Sequence, residues 1–233
     1  ADAYPNLPQF AAFDTAFHAT IPCIEHRYAI PKSEGLRRYG FHGLSYASMV
    51  RRLRPDLPRR FLGFHLGNGA SICAIVNGES RATTMGYSPQ DGLAMGTPAG
   101  SIYSAAGLEQ APRPGIDGAE ALLNRASGLL ALSGQSDMRG QSPAARAYFI
   151  HHALRHAGAL VAVMGGLDGV VFSGGIGEND PAVRAGIMNG LAYMGLRYKG
   201  NETGELHGVG LIRAHILPAE EERQIALEVG ALV

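Results

Sequence analysis

The alternation of apolar and polar positions predicts a chain of mixed strands and helices. Five runs of residues are predicted to be strands: 61–66, 71–77, 79–84, 170–172 and 209–217, all of them mainly apolar except 79–84. Asn77 and Gly78 separate the second run from the third, and this pair favours the type I′ turn of a β-hairpin. The first three runs therefore predict an antiparallel meander.

Helical spacing of apolar residues predicts five helices. They cover residues 45–53, 117–132, 150–164, 181–194 and 220–232. Ile225, Val229 and Leu232 are expected on the buried face of the last of them. Residues 98–118 are rich in Gly, Ala and Pro, and we interpret them as a mobile loop. The order of the elements predicts a mixed sheet with helices on its faces.

A glycine-rich segment follows the predicted strand at residues 170–172. Gly174, Gly175 and Gly177 come first, and Asp180 and Pro181 then favour the start of a helix. Glycines at such a turn allow a phosphate or a flat ligand close to the backbone, and a helix N-terminus attracts anions. A tight connection without a ligand explains this segment equally well, and both interpretations stay open.

A second glycine loop, at residues 65–71, joins two strands rather than a strand and a helix. It therefore lacks the helix of a dinucleotide fingerprint, and it has no Gly-Lys-Ser/Thr of a Walker A loop. A hairpin that wraps phosphates is typical of the actin, hexokinase and sugar-kinase type of ATP site. An NAD-dependent oxidoreductase would need an acidic residue about 20 positions after its glycine turn. Glu202 stands near that distance but in a polar segment, so this alternative is disfavoured.

Composition excludes several classes of function. The chain has 233 residues, of which 46% are hydrophobic and 17% charged, and its formal net charge is zero. This length buries a full core in one or two domains, and zero net charge argues against a nucleic-acid partner or an anionic membrane surface. No apolar run reaches about 18 residues and no signal peptide is visible, so we expect a cytoplasmic protein.

Cysteine and histidine spacing offers no strong metal motif. Cys23 and Cys73 have apolar neighbours and are interpreted as buried, reduced thiols. His152 and His156 are four residues apart on a predicted helix, but no third ligand is evident. A packed or solvated helix face is the preferred interpretation of this pair.

Six segments, taken together and in order, resemble acetate kinase within the carboxylate kinase family. They are residues 13–18, 39–45, 65–71, 85–97, 136–139 and 174–179. The resemblance implies an α/β fold of the actin/hexokinase/Hsp70 (ribonuclease H-like) type, a mixed sheet flanked by helices. It implies phosphorylation of acetate by ATP, with Mg²⁺ or Mn²⁺, to give acetyl phosphate and ADP. It also implies a homodimer in full-length members, and propionate or butyrate as alternative substrates.

The resemblance carries roles onto single residues. Asp14 and His42 match catalytic positions, and Asp14 and Glu221 match metal-linked positions, although Glu220 and Glu222 leave the register open by one. Alternatively, Asp14 is a helix cap and His42 a packed histidine. Residues that match the nucleotide site are His65, Leu66, Gly67, Asn68, Gly69, Asp137, Met138, Arg139, Gly175, Ile176, Gly177, Glu178 and Asn179.

The chain also departs from the family pattern. Pro98 stands where the family has an arginine that contacts the phosphoryl group, and Tyr46 stands where it often has a second histidine. The family's N-terminal domain is not matched, and the start without Met suggests a fragment or a processed chain. We expect residues 1–20 to be a remnant of the junction between domains, residues 21–219 the nucleotide-binding domain, and residues 220–233 the start of a helix returning to the first domain. Turnover by this chain alone is expected to be impaired, and a nucleotide-binding module without turnover is the alternative.

Overall fold

The computed structural model describes residues 7–110, 112, 115–196, 198–200, 206–208 and 212–232. The strands are β1 (Arg60–Leu66), β2 (Ala70–Val76), β3 (Glu79–Thr83), β4 (Gly169–Ser173), β5 (Tyr198–Gly200), β6 (Leu206–Gly208) and β7 (Arg213–Ile216). Five of them form one sheet in the order β3-β2-β1-β4-β7, and β5 and β6 pair separately.

The sheet is mixed, as predicted. β1, β2 and β3 form the antiparallel meander, while β4 pairs in parallel with β1 and β7 in parallel with β4. Asn77 and Gly78 both have positive φ, 54° and 84°, which confirms the type I′ turn between β2 and β3. Because β1 and β4 run in parallel, the loops that follow them leave the sheet at the same edge.

The helices are α1 (Cys23–His26), α2 (Gly43–Leu53), α3 (Ser104–Gln110), α4 (Gly115–Arg125), α5 (Gly128–Ser133), α6 (Pro143–Met164), α7 (Gly174–Asn179), α8 (Pro181–Gly190) and α9 (Glu221–Gly230). Short 3₁₀ helices cover Ala16–Thr20, Lys32–Glu34 and Ala192–Met194. The predicted helices at residues 45–53, 150–164 and 181–194 correspond to α2, α6 and α8, and the first two begin earlier than expected. Part of the predicted strand at residues 209–217 lies outside the described residues, and the rest contains β7.

Two predictions for the segment after Pro98 were wrong. The expected loop at residues 98–118 contains all of α3 and the start of α4. Ala, Leu, Glu and Gln favour a helix within residues 104–110, and overall glycine and proline content concealed that local preference. The single helix expected at residues 117–132 is divided at Gly128, whose φ of 61° and close approach to the Met95 carbonyl require glycine.

Three further predictions need correction. The glycines at 174–179 form the helix α7 rather than a turn. Cys23 is exposed, because α1 lies at the surface, whereas Cys73 is buried as expected. Leu232 is 73% exposed, since α9 ends before it and its buried residue is Gln224, which accepts a hydrogen bond from Arg51 at 3.1 Å.

Core residues lie on both faces of the sheet. The larger cluster packs α6 and α8 against the sheet, with Phe64 and Phe172 stacked on neighbouring strands at 4.9 Å between ring centroids. A smaller cluster on the other face includes Tyr46 and Met49 of α2. Helix α2 is thereby fixed beside the ends of β1 and β2. Within the described ranges no helix is long and apolar enough to cross a membrane.

Candidate functional site

A cleft of about 440 Å³ opens at the sheet edge where β1 and β4 end. Three segments distant in sequence form its walls: the turn after β1, residues 136–139, and α7 with the residue after it. Eight of the residues predicted for nucleotide binding line this cleft: Gly67, Asn68, Asp137, Met138, Arg139, Gly175, Ile176 and Asn179. Ser136 and Asp180 also line it, and neither was predicted to bind a ligand.

The turn after β1 is closed by its own backbone. The Gly67 amide donates to the Gly69 carbonyl at 2.9 Å, and the Asn68 carbonyl accepts from the Gly96 amide at 3.1 Å. A Cβ on Gly96 would lie 2.2 Å from the Asn68 side-chain oxygen, so glycine is required there to leave room for that side chain. The segment around residue 96 therefore holds Asn68 in place at the cleft.

The opposite wall is held by Gln141 and by an exposed ion pair. The side-chain amide of Gln141 donates to the backbone carbonyls of Gln135, at 2.7 Å, and Asp137, at 2.8 Å. Hydrogen bonds from the Arg139 guanidinium and backbone lower the pKa of the Asp137 carboxyl to about 2. Both side chains are accessible from the cleft, so a bound ligand can take the place of either partner in this ion pair.

Arg146 of α6 connects two walls of the cleft. Its guanidinium forms an ion pair with the Asp180 carboxylate and donates to the Met138 carbonyl at 3.4 Å. Asp180 also caps α8 by accepting from the Val183 amide at 3.0 Å. No sequence motif marks Arg146, since it lies within a long helix with ordinary amphipathic spacing.

Three residues predicted to bind nucleotide lie behind the cleft. Leu66 is fully buried in the core. The Gly177 carbonyl accepts from the buried Arg184 at 2.9 Å, and the Glu178 carboxylate accepts from the backbone of Gly174, at 2.9 Å, and of Ala219, at 3.0 Å. On α7 these residues face away from the positions that line the cleft, so they fix the helix instead.

His42 and His65 stack beside the cleft, with ring centroids 4.1 Å apart. Each ring is oriented by one serine: His42 Nδ1 lies 2.8 Å from Ser71 Oγ, and His65 Nδ1 lies 2.8 Å from Ser45 Oγ. A Cβ on Gly69 would lie 3.2 Å from His42 Nε2, so that nitrogen faces the turn after β1. The structure thus brings His42, His65 and Gly69 together.

Both imidazoles are neutral at neutral pH. Burial lowers the pKa of His42 to about 4, with a smaller contribution from His18. Burial also lowers the pKa of His65 to about 3, with a smaller contribution from His42. Each neutral ring carries one proton, and hydrogen bonding decides which nitrogen holds it.

Asp14 caps α2 from a distant part of the chain. Its carboxylate accepts from the amides of His42, at 2.6 Å, and Leu44, at 3.2 Å, and its carbonyl accepts from the Gly43 amide at 2.8 Å. His42 stands at the N-cap with a φ of 57°, and its own side chain does not cap the helix. Asp14 therefore sets the backbone position of His42, and its carboxylate retains lone pairs for a further partner.

The structure distinguishes the three successive glutamates at the start of α9. Glu220 is paired with Arg51 at 2.8 Å and with Arg52 at 3.5 Å, and Glu222 is exposed. Glu221 Oε1 lies 3.9 Å from His65 Nδ1. Burial raises the pKa of Glu221, and the negative charges of Asp14 and Glu222 raise it further.

The carboxylates of Asp14 and Glu221 are of the chemical kind that binds a divalent cation. The two carboxylates repel each other, and hard oxygen ligands of this kind suit Mg²⁺. Among the described residues no group of three or more His, Cys, Asp or Glu side chains could hold a metal by itself. His152 stacks on Tyr148, with 4.2 Å between ring centroids.

The buried histidines predict a loss of stability in mild acid. In the unfolded chain His42 binds a proton below about pH 6.5, whereas in the folded chain it does not do so until about pH 4. The free energy of unfolding should therefore fall as the pH is lowered across this window.

His42→Asn keeps a residue that tolerates positive φ and removes one titrating ring. We expect its loss of unfolding free energy between pH 6.5 and 5 to be about 1–2 kcal/mol smaller than that of the wild type. Urea unfolding in metal-free buffer at both pH values measures the difference, and parallel losses in the two proteins would contradict the expectation.

A model of the acetokinase family matches residues 1–226 of this chain. Acetate kinase from Methylocella silvestris is 41% identical over 100% of the chain and 63% of that protein. Acetate kinase from Stutzerimonas stutzeri is 39% identical over 99% of the chain and 66% of that protein. The chain thus spans slightly less than two thirds of the length of these curated relatives.

Solved structures give the same picture. The crystal structure of acetate kinase from Entamoeba histolytica superposes with a TM-score of 0.92 and 30% identity, covering 99% of this chain and 68% of that one. A propionate kinase from Francisella tularensis superposes with a TM-score of 0.89 and 32% identity, covering 97% of this chain and 65% of that one.

Proposed function

Because the chain belongs to the acetokinase family and has its actin- and hexokinase-like fold, we propose that it catalyses phosphoryl transfer from ATP to acetate. A carboxylate oxygen of acetate would attack the γ-phosphorus as the bond from that phosphorus to ADP breaks, giving acetyl phosphate. One observation carries the proposal: three separate segments predicted to bind nucleotide meet in one cleft, next to His42. That convergence is not required by packing alone.

The cleft would bind the nucleotide through its three walls. Residues 136–139 and α7 would enclose the adenosine, with Ile176 as an apolar surface and the Asn179 side chain as a polar one. The turn formed by Gly67, Asn68 and Gly69 would hold the phosphates, since its glycines expose backbone amides. Phosphates placed along this turn approach His42 Nε2, the nitrogen that faces Gly69.

His42 would stabilise the transferring phosphoryl group. Phosphoryl transfer depends mainly on positioning and on stabilisation of charge at the equatorial oxygens. A neutral imidazole with its proton on Nε2 donates one hydrogen bond to such an oxygen. Stacking on His65 and the backbone bond to Asp14 hold the ring in position before the reaction.

Asp14 and Glu221 would hold Mg²⁺ beside the phosphates. When bound, Mg²⁺ neutralises phosphate charge and polarises the phosphoryl oxygens. Asp14 contributes a carboxylate already fixed by two backbone amides, and Glu221 contributes one whose pKa is raised by burial and by the negative charges of Asp14 and Glu222.

Glu221→Gln tests the metal site. We expect Mg²⁺ to enhance ADP affinity roughly tenfold less in this variant than in the wild type, because even the outer partners of metal ligands have effects of this size. Isothermal titration with and without Mg²⁺ gives the ratio. Glu222→Gln is the matched control, since that side chain is exposed at the next position, and its ratio should equal the wild-type value. Equal ratios in all three proteins would remove Glu221 from the metal site.

A second function, nucleotide binding without turnover, is favoured by the charge of the cleft. Arg139 is the only cationic side chain among the described residues that line it, and Asp137 already pairs with it. Pro98 supplies no charge where the resemblance places an arginine. Cation clamps in other phosphoryl-transfer enzymes contribute roughly 10³–10⁵ in rate, so we expect turnover here to be slow.

One experiment separates these functions. The 233-residue chain is titrated with Mg·ADP and Mg·ATP, and acetyl phosphate formation from ATP and acetate is followed by trapping with hydroxylamine. Product above a heat-denatured control, dependent on both acetate and Mg²⁺, supports the kinase. Nucleotide binding without product supports the binding module, and absence of binding at millimolar nucleotide overturns both. Propionate in place of acetate tests the alternative substrate.

The homodimer, the cytoplasmic location and the divisions after residues 20 and 219 stay predictions. Helix α9 does pack against α2 through the contacts of Arg51 with Glu220 and Gln224. Its first turn is thereby held near His65, where Glu221 would bind the metal.

A further inference from the structure

Tyr46 lies one helical turn after His42 and is closely surrounded by other side chains. It is fully buried on α2, and a Cβ on Gly63 would lie only 2.9 Å from its ring. The rings of His18 and Phe17 stand 5.8 and 6.3 Å from it. A side chain enclosed in this way directs its hydroxyl group to fixed partners.

The Ser71 hydroxyl group joins Tyr46 to His42. Ser71 Oγ lies 2.5 Å from the Tyr46 hydroxyl oxygen and 2.8 Å from His42 Nδ1. Serine has a single proton to donate, so only one of these two contacts can receive it. If the Ser71 proton is used in one of them, two arrangements are possible. Either Tyr46 donates to Ser71 and Ser71 donates to His42, or His42 donates to Ser71 and Ser71 donates to Tyr46.

The surroundings of Tyr46 select the first arrangement. Burial raises the Tyr46 pKa, so the phenol keeps its proton and needs an acceptor for it. Within the described residues, Ser71 is the side chain that lies within hydrogen-bond distance of this hydroxyl group, and a buried hydroxyl without an acceptor would cost about 1–3 kcal/mol. Tyr46 therefore donates to Ser71, and the Ser71 proton is directed to His42 Nδ1.

We propose that Tyr46, acting through Ser71, holds His42 in the tautomer that carries its proton on Nε2. That nitrogen faces the Gly69 turn, so the tautomer presents a donor where the phosphates would lie. The opposite tautomer would present a lone pair to negatively charged oxygens. Tyr46 and Ser71 are thus positioning residues. Their effect on phosphate rests on the proposed function, whereas the tautomer itself does not.

Nitrogen NMR tests the tautomer directly. In the uniformly ¹⁵N-labelled chain without nucleotide at neutral pH, long-range ¹H–¹⁵N correlations distinguish protonated from unprotonated ring nitrogens, and His42→Asn assigns the His42 signals. We expect a protonated Nε2 in the wild type. Tyr46→Phe should produce a large share of the Nδ1-protonated form, because Ser71 can then accept instead of donate.

Further variants keep the test decisive. Ser71→Ala should shift the tautomer as Tyr46→Phe does, and Ser71→Thr should retain the wild-type form. If Tyr46→Phe does not fold, these two serine variants test the proposal in its place. Ser45→Ala is the matched control, because its hydroxyl group contacts His65 instead, and the His42 signals should stay unchanged. A wild-type His42 protonated on Nδ1, or an unchanged tautomer in folded Tyr46→Phe and Ser71→Ala, would overturn the proposal.

Binding measurements test the functional half. We expect Tyr46→Phe to weaken Mg·ATP binding by roughly three- to tenfold, the value of one hydrogen bond, and Mg·ADP binding less. Equal losses for the two nucleotides would contradict a contact with the transferring phosphoryl group. If the tautomer responds as expected but no nucleotide binds, the proposed function fails and the role of Tyr46 stands. If nucleotide binds but Tyr46→Phe leaves the tautomer unchanged, the role of Tyr46 fails and the proposed function stands.

Discussion

Asp14→Asn is expected to lower both the stability of the fold and the Mg²⁺-dependent part of nucleotide affinity. The Asp14 carboxylate accepts from two backbone amides at the start of α2, and an asparagine amide group would face one of them with N–H against N–H. We expect a loss of about 1–3 kcal/mol in the free energy of unfolding. The metal would also lose a negatively charged ligand.

Urea unfolding and nucleotide titration with and without Mg²⁺ measure the two effects of Asp14→Asn. Asp56→Asn serves as the control, because Asp56 is exposed and should change the unfolding free energy by less than about 0.5 kcal/mol. A stable Asp14→Asn protein with normal Mg²⁺ dependence would leave Asp14 without either role. Loss of stability with normal Mg²⁺ dependence would make it a helix cap only.

Gly174→Ala and Gly175→Ala should separate folding from binding. Gly174 has a φ of 78°, and a Cβ there would lie 2.7 Å from the Leu66 carbonyl oxygen, whereas a Cβ on Gly175 meets no atom within 4 Å. We expect Gly174→Ala to lower the free energy of unfolding by about 2–5 kcal/mol through backbone strain and collision. Gly175→Ala should fold normally and bind ADP more weakly, because its methyl group enters the cleft.

Thermal unfolding and ADP titration distinguish the two glycine variants. Equal melting temperatures would mean that the junction of β4 and α7 relaxes easily. Unchanged ADP affinity in Gly175→Ala would mean that the nucleotide does not pass close to α7, and the proposed orientation of the adenosine would then be wrong.

Periodicity predicted the sheet well because most of its strands are continuous and apolar, and the turn at Asn77 and Gly78 marked the polar β3. It failed for α7, where three glycines oppose helix formation and tertiary contacts override that preference. Arg184 donates to the carbonyls of Gly177 and Glu178, and Glu178 fixes the Gly174 amide. The residues that make these contacts lie in segments where no local sequence pattern predicts them.

The cleft was predictable to the extent that its residues lie in recognisable segments. Motifs pointed to both glycine loops and to residues 136–139, and the structure brings these together. The supporting residues were not found in this way. Arg146 carries no motif, and Ser71 ends the matched segment 65–71 without a role assigned to it there. The role inferred for Tyr46 depends on which hydrogen-bond partners surround it in three dimensions.

The bridge formed by Arg146 makes substitutions on the two walls interdependent. Its guanidinium contacts Asp180 after α7 and the Met138 carbonyl of the opposite segment, so a shift of either wall changes the position available to the other. Effects of mutations at the two walls should therefore not add, even where the mutated residues never touch. A substitution on one wall should accordingly change the effect of a substitution on the other, with Arg146 as the element that couples them.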